Sequence, residues 1–200
     1  GLGGVGQAGD GVIVGILDSG VWPEHPSFAD LGGDKRTTRS YQKASDWRGK
    51  CESGEKFSSS LCNGKLIGAR YYNAGWGDIY GGSGNRVIRR LFPYEFLSAR
   101  DADGHGSHTA STAAGNHGVP ASIAGVALGD VSGMAPNARI AAYKVCWGRS
   151  PEGACFGSDS AAAIDQAVAD GVDVINFSIS GSRDTILDAV ELAFLGAAAN

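Results

Sequence analysis

The chain has 200 residues, a net charge of −4, 42% hydrophobic residues and 19% charged residues. That suits one domain or part of one, excludes global disorder, and argues against a nucleic-acid or anionic-membrane binder. Glycine, at 32 residues, is about twice its usual share, yet no three-residue period runs through the chain, so collagen is excluded and tight turns are expected. No apolar run approaches the ~20 residues that span a bilayer. Gly1 has no charged leader behind it, which reads as a processed or trimmed chain.

The run from Gly11 to Leu17 is short, apolar and rich in branched residues, and it ends in Asp18-Ser19-Gly20. It reads as a buried strand with turn residues at its carboxyl end. From about Pro23 to Arg100 the chain is rich in Gly, Ser, Tyr and Arg and reads as a loop-rich insertion, not a second domain. A short helix is expected to open near His105 and run through Thr109 to Ala114. Ala138 to Val145 and Val172 to Ser178 read as two more buried strands. Between them, Ala161 to Ala169 is predicted helical, with Ser158-Asp159-Ser160 as N-cap and Gly171 as terminator. A last helix is expected from about Asp184 to Ala198, with Ile186, Val190 and Phe194 on one stripe. Strands alternating with helices predict an α/β fold with a parallel sheet covered on both faces. Ending near a helix at Asn200, that sheet would keep an open edge, so more polypeptide is expected to follow.

The four cysteines form two close pairs, Cys51/Cys62 and Cys146/Cys155. Neither has the spacing of a zinc site. Local disulfides closing two surface loops, in an oxidising compartment, are the preferred reading; four buried thiols in a cytosolic protein are the alternative.

In an open parallel sheet, reactive groups gather at the carboxyl ends of strands, where Asp18 sits. The second feature is Asp101-Ala102-Asp103-Gly104-His105-Gly106-Ser107-His108, a histidine between glycines that leave its ring clear of neighbouring side chains. A carboxylate beside an imidazole fixes the ring's tautomer and supports its cation, which suits general-base work on a hydroxyl. Asp18 and His105 therefore make two thirds of a nucleophilic hydrolase site.

Asp18-Ser19-Gly20 with Pro23 to Pro26 behind it, Asp103 to His108, Gly133-Met134-Ala135-Pro136, and Val174 to Ser178 together resemble the subtilisin-like serine proteases. Their order, Asp, His and then a later Ser, is that family's order. Trp47 to Arg70, Ala141 to Trp147 and Cys155-Phe156 resemble the branch of plant subtilases and cucumisin, with bacterial relatives. The resemblance implies a three-layer subtilisin-like fold, truncated on its carboxyl side, with residues 1–200 the amino-terminal portion of one peptidase domain. It implies a secreted serine endopeptidase in which Asp18 orients His105 and His105 takes the serine proton. It also implies that Ala154, Cys155 and Phe156 pair with one side of an extended polypeptide substrate and Ser178, Ile179, Ser180 and Gly181 with the other. A propeptide of its own is a further candidate partner; no cofactor, metal, nucleic acid or membrane is implied.

Two family parts are missing. No Gly-Thr-Ser nucleophile motif occurs, and Asn200 closes a helix pattern instead of an Ala-Gly-Asn-x-Gly run. Without that asparagine a site loses about 3 kcal/mol of transition-state stabilisation, and without the serine no acyl transfer occurs, so the 200 residues alone are expected to be inert. Ser107 stands where the family more often has Thr. A non-catalytic α/β module binding peptides or a nucleotide is the alternative reading.

Other patterns carry less. His105 and His108 lack a third ligand at metal spacing. His108 reads as a packed helix residue, His25 as structural and His117 as solvent-facing. The glycine pattern of Gly1 to Gly6 precedes a strand where a dinucleotide fingerprint follows one. Asn176-Phe177-Ser178 matches a glycosylation acceptor inside a predicted buried strand. Arg86, Arg89 and Arg90 read as a solvated cluster, and Asn116 and Asp130 alone make no calcium cage.

Overall fold

The computed structural model describes residues 8–30, 46–149, 151–181, 185 and 187–199. The glycine pattern at 1–6, Asp184, Ile186 and Asn200 lie outside them. In chain order the elements are β1 (Ile13–Asp18), β2 (Leu66–Tyr71), α1 (Ala74–Tyr80), α2 (Gly84–Leu91), α3 (His105–Ala114), β3 (Val119–Ile123), β4 (Val126–Val131), β5 (Arg139–Lys144), β6 (Cys146–Trp147), β7 (Ala154–Cys155), α4 (Gly157–Asp170), β8 (Val174–Phe177) and α5 (Ala189–Ala198).

Four strands form one sheet in the order β2-β5-β1-β8, with every pairing parallel. β1 and β5 are buried on both faces, which is why Ile13–Leu17 and Ile140–Tyr143 run apolar without alternation. Their side chains still divide by parity. Val14, Ile16, Ile140 and Ala142 pack with Ala110 and Ala114 of α3 on one face. Ile13, Leu17, Ala141 and Tyr143 pack with Ala163, Ile164 and Ala167 of α4 on the other, where Val190 and Phe194 of α5 also lie. The expected layering of helices over both faces is present.

Several elements differ from expectation. The segment read as a loop-rich insertion supplies β2, an edge strand of the main sheet, together with α1 and α2. These helices build a third apolar cluster from Trp76, Val87, Ile88, Phe92, Leu97 and Trp147. Gly68 disguises β2: a Cβ there would stand 2.5 Å from the Trp47 ring, so glycine marks a close approach within the strand. α4 begins at Gly157 with Phe156 in the cap position and no side-chain cap bond. Asp159, expected in the N-cap, instead accepts from Gly75 N at 3.0 Å and ties α1 to α4. α5 begins at Ala189, where Asp188 Oδ1 accepts from Val190 N and Glu191 N. β3 and β4 form an unexpected antiparallel hairpin. No helix among the described residues is long and apolar enough to cross a membrane.

Candidate active site

Strand parity places the first group. Asp18 is the last residue of β1 and shares the parity of Val14 and Ile16, so its carboxylate projects to the α3 face, where α3 opens with His105. His105 Nδ1 lies 2.7 Å from Asp18 Oδ1 across 87 positions of sequence. The carboxylate is almost fully buried while the imidazole is 54% exposed. Asp18 Oδ1 also accepts from Ser19 N at 2.7 Å, and Oδ2 lies 3.2 Å from the Thr109 hydroxyl. The hydrogen bond from Asp18 raises the His105 pKa above its ordinary value; partial burial opposes this, and the charges of Asp18, Asp103 and Asp101 add to it.

Asp101 seats the helix that carries the histidine. Its Oδ1 accepts from Ser19 Oγ, Asp103 N and Gly104 N at 3.0, 3.0 and 2.8 Å. Its Oδ2 accepts from Ser107 N and Ser107 Oγ at 2.9 and 2.6 Å. These bonds satisfy amides at the start of α3 that no helical carbonyl can reach. Burial pushes the Asp101 pKa up, but the bonds from Ser107, Gly104 and Ser19 outweigh it and hold the carboxyl below its usual range. In the sequence Asp101 carries no expected role beyond opening the histidine motif; an acid a few residues ahead of a helix start is the signal that points to it. The glycines beside His105 also have other reasons than clearance of the ring. Gly104 has φ +106°, and a Cβ on Gly106 would stand 2.2 Å from Gly20 O, so α3 rests directly on the turn after Asp18.

Asp18 and His105 open onto a cleft of about 220 Å³ at the carboxyl ends of β1, β5 and β8, lined also by Ser19, Asp103, Cys146, Gly148, Gly153, Ala154, Cys155, Ser178 and Ile179. Four of the residues expected to contact substrate thus face the same space as the histidine. Ser180 and Gly181 line an adjoining cleft of about 240 Å³ with Cys155, Ile179, Phe177 and Phe194. Phe156 lines neither cleft; its ring packs 4.7 Å from that of Trp76. Both cysteine pairs are bonded, Cys51 to Cys62 and Cys146 to Cys155. The second bridge joins directly paired residues of β6 and β7 in the cleft wall. Among the described residues no group of three or more His, Cys, Asp or Glu side chains is arranged to hold a metal.

The family model described as the Subtilase family matches residues 9–197. Subtilisin-like protease SBT1.6 of Arabidopsis thaliana is 47% identical over 194 residues, which cover 95% of this chain and 23% of the relative. Subtilisin-like protease SBT1.4 of the same plant is 49% identical over 175 residues, covering 87% and 20%. The chain therefore spans less than a quarter of the length of these relatives. Among solved structures, Sphericase superposes with a TM-score of 0.52 at 23% identity, covering 96% of this chain and 44% of that one; at that identity the likeness speaks for the fold, a subtilisin-like α/β architecture.

Proposed function

The chain belongs to the subtilase family, and from that premise we propose that it supplies the aspartate and histidine of a secreted serine endopeptidase acting on extended polypeptides. The residues would form the amino-terminal portion of one peptidase domain, with the nucleophilic serine and the oxyanion asparagine contributed from outside these 200 residues. The observation that carries the reading is the 2.7 Å contact between Asp18 Oδ1 and His105 Nδ1. With Nδ1–H donated to Asp18, Nε2 is the nitrogen left to receive a proton.

In this mechanism the serine hydroxyl gives its proton to His105 Nε2 as its oxygen bonds to the scissile carbonyl carbon, and the carbonyl π pair moves onto oxygen. Collapse of the tetrahedral species expels the amine, which takes the proton back from Nε2. Water then repeats the cycle to free the acid. Asp18 steadies the imidazolium throughout, and its burial strengthens that effect by excluding competing water. The cleft walls at Ala154–Cys155 and Ser178–Ile179 would hold the substrate main chain, the propeptide included, by strand addition. Two disulfides support an extracellular location, and a net charge of −4 supports polypeptide over nucleic-acid or membrane partners.

The test is peptide hydrolysis by the complete protein and by its His105→Ala variant. A loss on the order of 10⁴–10⁶ in kcat/KM is expected; equal rates reject the reading. A fluorophosphonate that labels the complete protein covalently would also exclude a binding module that keeps Asp18 and His105 only as structure.

A further inference from the structure

Beside the cleft lies a buried ion pair that the proton relay does not use. Lys144, the last residue of β5, has the parity of Ile140 and Ala142, so its side chain leaves the sheet on the α3 face. Its ammonium lies 2.6 Å from Glu95 Oε2, and both side chains are fully buried. It also donates to the carbonyl of Arg100 at 2.8 Å and sits 4.4 Å from the centroid of the Trp147 ring. The second oxygen of Glu95 accepts from Gly148 N at 2.9 Å. Nearer the surface, Tyr94 OH accepts from Arg149 N at 3.0 Å, and the Arg149 guanidinium lies over the Tyr94 ring and donates to Ala102 O at 3.0 and 2.7 Å.

These bonds join two segments that face each other. Residues 100–104 run into His105, and Cys146, Gly148 and Gly153 to Cys155 line the cleft onto which it opens. Regular structure is short here among the described residues: Cys146–Trp147 of β6, Ala154–Cys155 of β7, and glycines at 148 and 153. An ion pair this deep adds little net stability, because desolvation cancels much of the attraction. What it supplies is directional bonds to separate segments at once.

We propose that Lys144 and Glu95, with Tyr94 and Arg149 at the rim, are positioning residues that fix the cleft wall at Gly148, Gly153 and Ala154 relative to His105 and so register an extended substrate against the general base. This rests on the proteolytic reading of the site. The carboxylate of Glu95 offers two acceptors to two donors, the Lys144 ammonium and Gly148 N–H. Glu95→Gln keeps the shape but offers one acceptor and an unwanted donor, so one of the two bonds must fail.

The experiment measures kcat and KM of the complete protein on a long peptide amide and on a single-residue ester, with active sites titrated by a fluorophosphonate. For Glu95→Gln an about tenfold rise in KM for the long peptide is expected, with kcat and both ester constants within about twofold of wild type. Parallel loss on both substrates would reduce the pair to general structural support and overturn the proposal, as would no change on either. If Glu95→Gln fails to fold, Arg149→Met and Tyr94→Phe at the rim carry the same expectation at about threefold, and an unchanged KM there overturns it. A wild type no faster than His105→Ala would instead reject the proteolytic reading, and this proposal with it.

Discussion

At the scale of single residues, the acid–base behaviour of the site turns on how firmly His105 keeps its proton. Its pKa is raised by the Asp18 hydrogen bond first, against partial burial. General-base work needs neutral Nε2, so kcat/KM should fall as pH drops through that raised pKa. The sign is opposite for stability. A histidine whose folded pKa exceeds its unfolded one contributes stability that is fully present below the ordinary imidazole range and lost as pH rises through the folded value. Asp18→Asn removes the charge that causes the shift. Its pH–rate profile should show the acidic limb moved to lower pH, on a plateau reduced by about 10⁴. A limb that stays where the wild type has it would mean that another group controls it. Asp101 runs the other way: its carboxyl is held below the usual range, so its support of α3 is present above the ordinary carboxylate range and lost as pH falls through the folded value.

Between elements, the main sheet is locked to α4 by one carboxylate. Asp170 sits at the carboxyl end of α4, where the helix dipole disfavours a negative charge. Arg70 of β2 offsets this with two parallel bonds at 2.8 Å, the Tyr143 hydroxyl of β5 adds a third at 3.0 Å, and Gln166 Nε2 of α4 itself adds a fourth at 2.8 Å. Asp170→Ala would strand the Arg70, Tyr143 and Gln166 donors in a site where Asp170 is 3% exposed and Arg70 14%. A loss of roughly 3–5 kcal/mol is expected by denaturant unfolding, and a loss below about 1 kcal/mol would show that Arg70 finds water instead. None of this was readable from pattern, because Arg70 and Asp170 are 100 positions apart. β1 and β5 were legible because strands flanked by helices on both faces are apolar over most of their length, and β8 because Val174, Ile175 and Phe177 keep it mostly apolar. β2 was not, since Gly68 and Arg70 interrupt its apolar run, and neither was α1, whose Gly75 and Gly77 are poor helix formers chosen for close contact with Ser158 and with the backbone of Gly82–Gly84. Asp18 and His105 were legible because their local motifs are distinctive. Asp101, Glu95 and Lys144 were not, because their roles arise from pairings that only the tertiary fold creates.

For the molecule as a whole, the cleft lies between the central sheet with α3 on one side and the short β6–β7 pairing on the other. Asp18 and His105 stand on the central sheet and α3, whose clusters fill both faces of β1 and β5. The opposite wall rests on the third cluster around Trp76 and Trp147, on Glu95, and on the Cys146–Cys155 bridge. That bridge spans nine positions and the Cys51–Cys62 bridge eleven, so by loop entropy each stabilises by about 2–3 kcal/mol, and the two are near equals in global stability. Their functional weights should differ, because only the first lies in the cleft wall. In the complete protein, replacing Cys146 and Cys155 with serine should raise KM for a long peptide substrate while far-UV ellipticity and the active-site titre stay at wild-type levels. Replacing Cys51 and Cys62 should lower the unfolding midpoint by a comparable amount and leave KM unchanged. If both pairs of replacements shift KM equally, or if binding and ellipticity vanish together, the wall is no softer than the sheet and the cleft behaves as one rigid unit.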